Sequence, residues 1–137
     1  MTSEVSCLCG SVKLALHGEP IHQFYCHCDD CQAVHGAAYI GVMLYPEDQV
    51  EHLSGETDTW VYKNNPRTRC RQCGTILYAE PPGAPWKGVK ANLLPPGQFK
   101  PSHHLQCQFA VLPVVDDLPH LKGFPAMFGG SDEEMPW

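Results

Sequence analysis

Seven of the eight cysteines in this 137-residue chain lie in three short clusters, which constrain its fold more than any other feature. The clusters read Cys7-Leu8-Cys9-Gly10, Cys26-His27-Cys28-Asp29-Asp30-Cys31 and Cys70-Arg71-Gln72-Cys73-Gly74. A closed tetrahedral zinc site takes four protein ligands, whereas a reactive zinc site takes three and keeps one position open. Seven thiolates therefore provide one closed site and three further ligands. This arithmetic predicts two metal centres of different kinds.

The first and third clusters together supply the four sulfurs of a closed site. Cys70 and Cys73 have the Cys-x-x-Cys spacing that lets a turn place two sulfurs on one zinc, and Gly74 suits the turn beneath it. Cys7 and Cys9 chelate with one intervening residue fewer. We expect this four-cysteine group to hold a structural zinc, so that metal binding becomes part of folding. Two disulfides, or cysteines packed without metal, remain the alternative.

The middle cluster, Cys26-x-Cys28-x-x-Cys31, is a compact three-thiolate chelate, hereafter the three-cysteine group. An open fourth position would let a second zinc act as a Lewis acid or bind and deprotonate an incoming thiol. A closed position would make the site structural. The group that completes it is water, an exogenous thiol or a side chain, the candidates being His27, His35, His104 and Cys107.

Composition narrows the class of protein. The formal charge is −6, so phosphate backbones are poor partners and we expect no nucleic-acid binding. No apolar run is long enough to span a bilayer, and residues 1–5 carry no secretory signal pattern. We therefore expect a cytoplasmic protein with reduced thiols, which favours metal over disulfides. The length indicates one domain over residues 1–137, as a monomer or homodimer.

Residue patterns predict a mainly β, mostly antiparallel fold with few short helical turns, because 13 Pro and 12 Gly disfavour long helices. We expect a helical turn over 28–36, a hairpin joining 50–53 to 57–62, a polar loop over 63–67 and a long strand over 103–111. The predicted remaining strands are 12–16, 21–25, 37–44, 75–79 and 88–94. Beyond Pro113 the chain is expected to be irregular.

The three clusters, in this order and spacing, resemble the glutathione-dependent formaldehyde-activating enzyme family, which also includes centromere protein V. The matching stretches are Cys7-Leu8-Cys9-Gly10-Ser11-Val12, Cys26-His27-Cys28-Asp29-Asp30-Cys31 and Cys70-Arg71-Gln72-Cys73-Gly74-Thr75. Weaker similarity follows at 101–104, 118–119 and 128–133. The likeness covers nearly the whole chain.

The resemblance implies a β-tent-like fold of two packed sheets, stapled by zinc, with two zinc ions per chain. Carried over residue by residue, Cys7, Cys9, Cys70 and Cys73 would hold the structural zinc, and Cys26, Cys28 and Cys31 the catalytic one. The implied activity joins formaldehyde to glutathione, a carbon–sulfur lyase reaction, so the partners would be a glutathione-like thiol and a small aldehyde.

Three other side chains are considered for the site. His104 is a candidate general base, supported slightly by the resemblance. Arg71 is a candidate for a glutathione carboxylate, because guanidinium binds carboxylate in a fork. His27 either donates a hydrogen bond to a ligand sulfur or simply packs or faces solvent.

Two other function classes remain open. One is a zinc-stabilised binding or chaperone-like module without catalysis, because a fold can host several functions. The other is a thiol-based redox or metal-buffering protein.

Overall fold

The computed structural model describes residues 1–137 and is mainly β, with two sheets, one α-helix and short 3₁₀ turns. The predicted fold class is confirmed. The strands are β1 (Thr2–Ser6), β2 (Lys13–His17), β3 (His22–Cys26), β4 (Ile40–Pro46), β5 (Val50–Ser54), β6 (Thr57–Tyr62), β7 (Asn65–Cys70), β8 (Ile76–Ala79), β9 (Trp86–Lys90) and β10 (His104–Leu105). Helix α1 spans Asp29–His35, and the 3₁₀ turns are Glu47–Gln49, Ala91–Leu93, Cys107–Phe109 and Ala126–Phe128.

Residue contacts divide the chain into two compact units, of which the first comprises Met1–His22 and Met43–Gln98. Here β1, β2 and β5 form a three-stranded antiparallel sheet. The strands of the other sheet that lie in this unit follow the order β4 (from Met43 onward), β9, β8, β7 and β6. Its fully buried side chains are apolar except for Thr68, and they include Val12, Leu14, Leu16, Met43, Leu77 and Val89.

The second unit comprises Gln23–Val42 and Phe99–Trp137, and it contains α1. Strand β10 pairs with β3 in parallel, setting His104 opposite Tyr25 and Leu105 opposite Cys26. Two histidines, His27 and His104, are fully buried here beside Leu105. Buried imidazoles need hydrogen-bond partners, so this unit has a polar interior. The single-domain organisation over 1–137 stays a prediction.

Helix α1 forms where the sequence predicted it. The Cys28 Sγ accepts a hydrogen bond from the Cys31 N–H and caps the first turn, while Asp29 and Asp30 complement the positive end of the helix dipole. Gly36 ends the helix with a φ of 60°, a conformation that favours glycine. No helix of the chain has the length and apolar character needed to cross a membrane.

The predicted hairpin between 50–53 and 57–62 is wrong. Strand β5 pairs with β2, whereas β6 pairs with β7, so the two strands belong to different sheets. Gly55 lies between them with a φ of 89°. A turn signal between two strand-like segments marks a change of direction, and here the chain uses it to leave one sheet and enter the other.

Three further predictions also need correction. Strand β7 begins at Asn65, inside the predicted polar loop 63–67, because β6 and β8 hydrogen-bond to both of its edges. The long strand over 103–111 is reduced to His104–Leu105, since Gln106 adopts a φ of 57° and a 3₁₀ turn follows. Strand β9 likewise ends at Lys90, and a 3₁₀ turn over Ala91–Leu93 replaces the rest of predicted strand 88–94.

Candidate metal centres

The four-cysteine group comes together within the first unit. All four sulfur atoms lie within 4.8 Å of one another. The Sγ of Cys9 is 3.5 Å from that of Cys7 and 3.8 Å from that of Cys70. Four thiols at this spacing fit zinc, which takes sulfur ligands tetrahedrally. The group can therefore hold a metal ion, as the spacing predicted.

Two similar turns present these sulfurs. Gly10 and Gly74 each have a positive φ, near 80°, and each donates its N–H to the carbonyl of the first cysteine of its turn, at 3.0 Å. Backbone N–H groups also point at sulfur: the Val12 N–H donates to Cys7 Sγ at 3.3 Å and the Cys73 N–H donates to Cys70 Sγ at 3.4 Å. Such N–H donors stabilise the thiolate form.

Hydrogen bonding tunes the acidity of this group. The Thr75 hydroxyl lies 3.1 Å from Cys73 Sγ, and this contact lowers the pKa of Cys73 to about 5. Burial opposes ionisation of Cys7, but the Val12 N–H and neighbouring sulfurs lower its pKa overall. Since zinc binds thiolates, the lowered pKa values of Cys7 and Cys73 favour metal uptake, whereas the pKa of Cys9 is raised and opposes it.

The three-cysteine group forms where β3 meets α1, within the second unit. Its sulfurs also lie within 4.8 Å of one another, and Cys31 Sγ is 3.8 Å from Cys26 Sγ. Cys26 and Cys31 are buried, whereas Cys28 is partly exposed. The group can thus hold a metal ion, and Cys28 is its most exposed ligand.

The acidity of the three-cysteine group differs from that of the four-cysteine group. Hydrogen bonds with Cys28 and Cys31, together with burial, raise the pKa of Cys26 well above its ordinary value. The pKa of Cys28 is raised as well, since a lowering contact with Cys26 is outweighed by the contact with Cys31 and by burial. Metal uptake here must displace thiol protons.

The side chains considered as a fourth ligand do not join the three sulfurs. The side chains close enough together to share one ion are Cys26, Cys28 and Cys31. That set does not include His27, His35, His104 or Cys107. Cys107 is buried within a 3₁₀ turn, and burial raises its pKa to about 11. It is therefore a poor source of thiolate at neutral pH.

A row of hydrogen-bonded side chains, made of two buried histidines and the partly exposed Asp116, adjoins the three-cysteine group in sequence. His27, which lies between two of the cysteines, has its Nε2 2.9 Å from His104 Nδ1. His104 Nε2 is in turn 2.8 Å from Asp116 Oδ2. Sequence reasoning considered each histidine separately and missed Asp116, because it falls in the segment expected to be irregular. No pattern in the sequence links these three residues.

Aromatic rings pack against His27 and His104. Tyr39 stacks on His27 at 4.9 Å between ring centroids, and Tyr25 stacks on His104 at 5.0 Å. Trp137 lies 5.4 Å from His27 and 5.7 Å from His104. Burial in this setting lowers the pKa of His27 to about 4, so its ring is neutral at physiological pH. His27 is thus a packed residue and does not face solvent.

Arg71 lies in the first unit, on the turn that carries Cys70 and Cys73. Its guanidinium donates to Asp58 Oδ1 at 3.0 Å and to Glu56 Oε2 at 3.1 Å, and these pairings raise its pKa. Two carboxylates of the protein therefore already accept hydrogen bonds from the guanidinium that was predicted to bind a glutathione carboxylate. Its role toward that ligand stays a prediction.

Comparisons with known proteins agree with the fold and the cysteine pattern. The sequence model of a family described as glutathione-dependent formaldehyde-activating enzyme matches residues 2–109. No curated protein sequence matches the chain significantly. The crystal structure of a Rhodobacter sphaeroides protein is similar, with a TM-score of 0.55 and 17% identity, covering 67% of this chain and 87% of that one. At this identity the likeness concerns the fold alone.

Proposed function

Because the chain belongs to the glutathione-dependent formaldehyde-activating enzyme family, we propose that it is a zinc-dependent carbon–sulfur lyase. Its substrate would be the adduct of glutathione, or another thiol, with formaldehyde or a related small aldehyde. The observation that supports this most is the three-cysteine group, where three sulfurs converge without a fourth protein sulfur or imidazole. Three protein ligands are typical of a reactive zinc.

The proposed reaction adds a thiol across a carbonyl group. The sulfur electron pair forms the carbon–sulfur bond, the π pair of the carbonyl moves to oxygen, and a proton reaches that oxygen to give a hydroxymethyl thioether. Formaldehyde is already electrophilic, so the harder requirement is a thiolate at neutral pH, since free thiols have a pKa of about 8.5. When bound, zinc supplies the charge that deprotonates a coordinated thiol.

The protein contributes a negatively charged ligand set and restricted access. Three thiolates donate strong charge to the ion, which weakens it as a Lewis acid toward a carbonyl oxygen. Activation of the thiol is therefore the role that this donor set favours over activation of the aldehyde. Cys26 and Cys31 are buried while Cys28 is partly exposed, so a substrate would approach past Cys28.

The four-cysteine group would hold the structural zinc in this proposal. Its sulfurs come from two distant parts of the chain, and a metal there contributes to folding free energy. We further propose a single-domain cytoplasmic protein, monomeric or homodimeric, whose partners are the thiol and the aldehyde. His104 is assigned no direct proton transfer to substrate, because it is fully buried.

The test is catalysed exchange between free formaldehyde and its glutathione adduct, followed by magnetisation-transfer NMR. The uncatalysed reaction is quick, so a protein-free sample sets the baseline. We expect the wild type and Cys107→Ser to accelerate exchange, and Cys28→Ser to lose that acceleration together with one zinc ion. Equal acceleration by Cys28→Ser would reject the proposal for this substrate pair.

A further inference from the structure

The hydrogen-bond chain from Asp116 to His27 has a direction that chemistry dictates. A carboxylate can only accept, and although partial burial opposes ionisation of Asp116, its bond with His104 lowers its pKa overall. His104 therefore carries a proton on Nε2 and donates it to Asp116 Oδ2, at 2.8 Å. The proton between His104 Nδ1 and the next ring decides the direction of the second bond.

The direction continues to the next ring. Between His104 Nδ1 and His27 Nε2, which are 2.9 Å apart, the proton lies on His27 Nε2. A proton on His27 Nδ1 instead would be a buried N–H without a partner, which is rarer in proteins than a buried acceptor without one. Neutral imidazole has one N–H, so His27 Nδ1 then bears a lone pair. That atom is buried and has no hydrogen-bond partner in the protein. His27 therefore cannot donate to a sulfur of the three-cysteine group in this state, contrary to one of the roles that the sequence suggested.

His27 is fixed at its backbone as well as at its ring. Its N–H donates to the Leu105 carbonyl at 3.0 Å, and its carbonyl accepts from Gln32 Nε2 at 2.8 Å. The residue lies directly between Cys26 and Cys28 in the chain. A shift of His27 that keeps its ring hydrogen-bonded would move the backbone segment that carries these two sulfurs. Partners that orient a residue at a metal centre typically change metal affinity or activity when they are removed.

We propose that Asp116 and His104 are positioning residues for the three-cysteine group, holding His27 in the tautomer protonated at Nε2 and so fixing the Cys26–Cys28 segment. This inference rests on the proposed function in taking that group as the reacting centre. Neither residue contacts substrate in the proposal, because both act through His27.

The substitution Asp116→Asn reverses the donor–acceptor direction of these hydrogen bonds while keeping the shape of the side chain. The Leu118 N–H donates to Asp116 Oδ1 at 3.0 Å, and this bond requires the oxygen of the introduced amide to take the Oδ1 position. The amide nitrogen then faces His104 Nε2 and donates to it. His104 must take its proton at Nδ1 and donate to His27 Nε2, which leaves the His27 proton on Nδ1.

Three variants separate positioning from simple stabilisation. Asp116→Ala removes the carboxylate and the acceptor for the Leu118 N–H, so a purely structural role makes it the more harmful variant. A role through the tautomer makes Asp116→Asn the more harmful one, because only that variant imposes the reversed direction. Asp117→Asn makes the same charge change at the neighbouring exposed position and serves as the control.

The first readout is the tautomer itself, from ¹⁵N–¹H correlation spectra of the histidine rings in zinc-loaded protein. We expect Nε2–H at His27 in the wild type and Asp117→Asn, and Nδ1–H at both buried histidines in Asp116→Asn. The second readout is zinc affinity of the three-cysteine group by chelator competition, which we expect to fall about tenfold or more in Asp116→Asn and less in Asp116→Ala.

An unchanged His27 tautomer in Asp116→Asn, or a larger loss of zinc affinity in Asp116→Ala, would overturn the positioning role. If the tautomers and zinc affinities are as expected, the positioning role is upheld. If the wild type in the same experiments does not accelerate glutathione–formaldehyde exchange, the proposed function is rejected. The two failures are thus distinguishable.

Discussion

The sulfur atoms of Cys9 and Cys70 lie 3.8 Å apart although the two residues are 61 positions apart in the chain. Holding such distant segments together costs loop-closure entropy, and thiols at this distance provide little attraction of their own. A metal bound by both offsets that cost. We therefore expect metal in the four-cysteine group to stabilise the N-terminal sheet and the β7–β8 turn.

Replacing Cys70 by serine should remove one zinc ion per chain and destabilise the fold. Cys70 is fully buried, and serine is a poor zinc ligand, so we expect a loss of more than about 3 kcal/mol in the free energy of unfolding. Metal analysis and thermal denaturation measure both effects. Cys107→Ser is the matched control, since Cys107 is also buried but lies outside both groups. Retention of two zinc ions by Cys70→Ser would contradict the assignment.

Cys107 should make stability fall at alkaline pH. Burial raises its pKa from 9.0 to about 11 in the folded protein, so the unfolded chain releases this proton first as pH rises. Stability contributed by the neutral thiol is present below about pH 9 and is lost as pH rises toward about 11.

Comparison with Cys107→Ala isolates this effect. The difference in unfolding free energy between wild type and variant should shrink by about 2 kcal/mol between about pH 8 and about pH 11. Urea unfolding in the presence of a reductant provides the measurement. A pH-independent difference would show that the folded and unfolded thiols ionise alike.

Gly55→Ala should destabilise the protein strongly. An added Cβ would lie 2.3 Å from the Ser11 carbonyl oxygen, and the φ of 89° is strained for alanine. We expect a cost of about 2 to 4 kcal/mol. Gly83 also has a positive φ, of 73°, but nothing lies within 4 Å of an added Cβ, so Gly83→Ala should cost only about 1 kcal/mol.

The position of Gly55 adds a second consequence. Ser11 Oγ lies 3.2 Å from Cys9 Sγ and 3.3 Å from Cys70 Sγ, so displacement of Ser11 disturbs the four-cysteine group. Gly55→Ala should therefore release zinc at a lower chelator concentration than Gly83→Ala. Equal zinc retention by the two variants would show that the close approach is relieved elsewhere.

Arg71→Gln should leave the free energy of unfolding nearly unchanged, because the ion pairs of Arg71 with Glu56 and Asp58 are solvent-exposed. If Arg71 binds a glutathione carboxylate, the KM for glutathione should rise about tenfold while KM for formaldehyde is unchanged. Steady-state kinetics measures both KM values, and Lys63→Gln, which removes the same charge, is the control that separates carboxylate binding from a general charge effect. An unchanged KM for glutathione would remove Arg71 from the binding site.

The parts of the fold that the sequence predicted well are those set by local chemistry. Cys28 and Gly36 delimit α1 through capping, which depends on neighbouring residues alone. The cysteine groups were likewise readable, since each turn contributes its sulfurs within a few residues.

The parts that could not be predicted depend on distant partners. Strand β7 carries the buried polar residues Arg67 and Thr68, and their segment becomes a strand only because β6 and β8 supply hydrogen bonds on both sides. Strand β1 has one buried side chain, Val5, so its alternation is too weak to reveal pairing with β2. Asp116 joins His104 through loop geometry that periodicity does not encode.

Every sulfur of the four-cysteine group belongs to one compact unit, and every sulfur of the three-cysteine group belongs to the other. Loading of the two ions is then a pair of local events, each completed without ligands from the other half. A species with an ion in one cysteine group and none in the other should therefore be isolable during a metal titration.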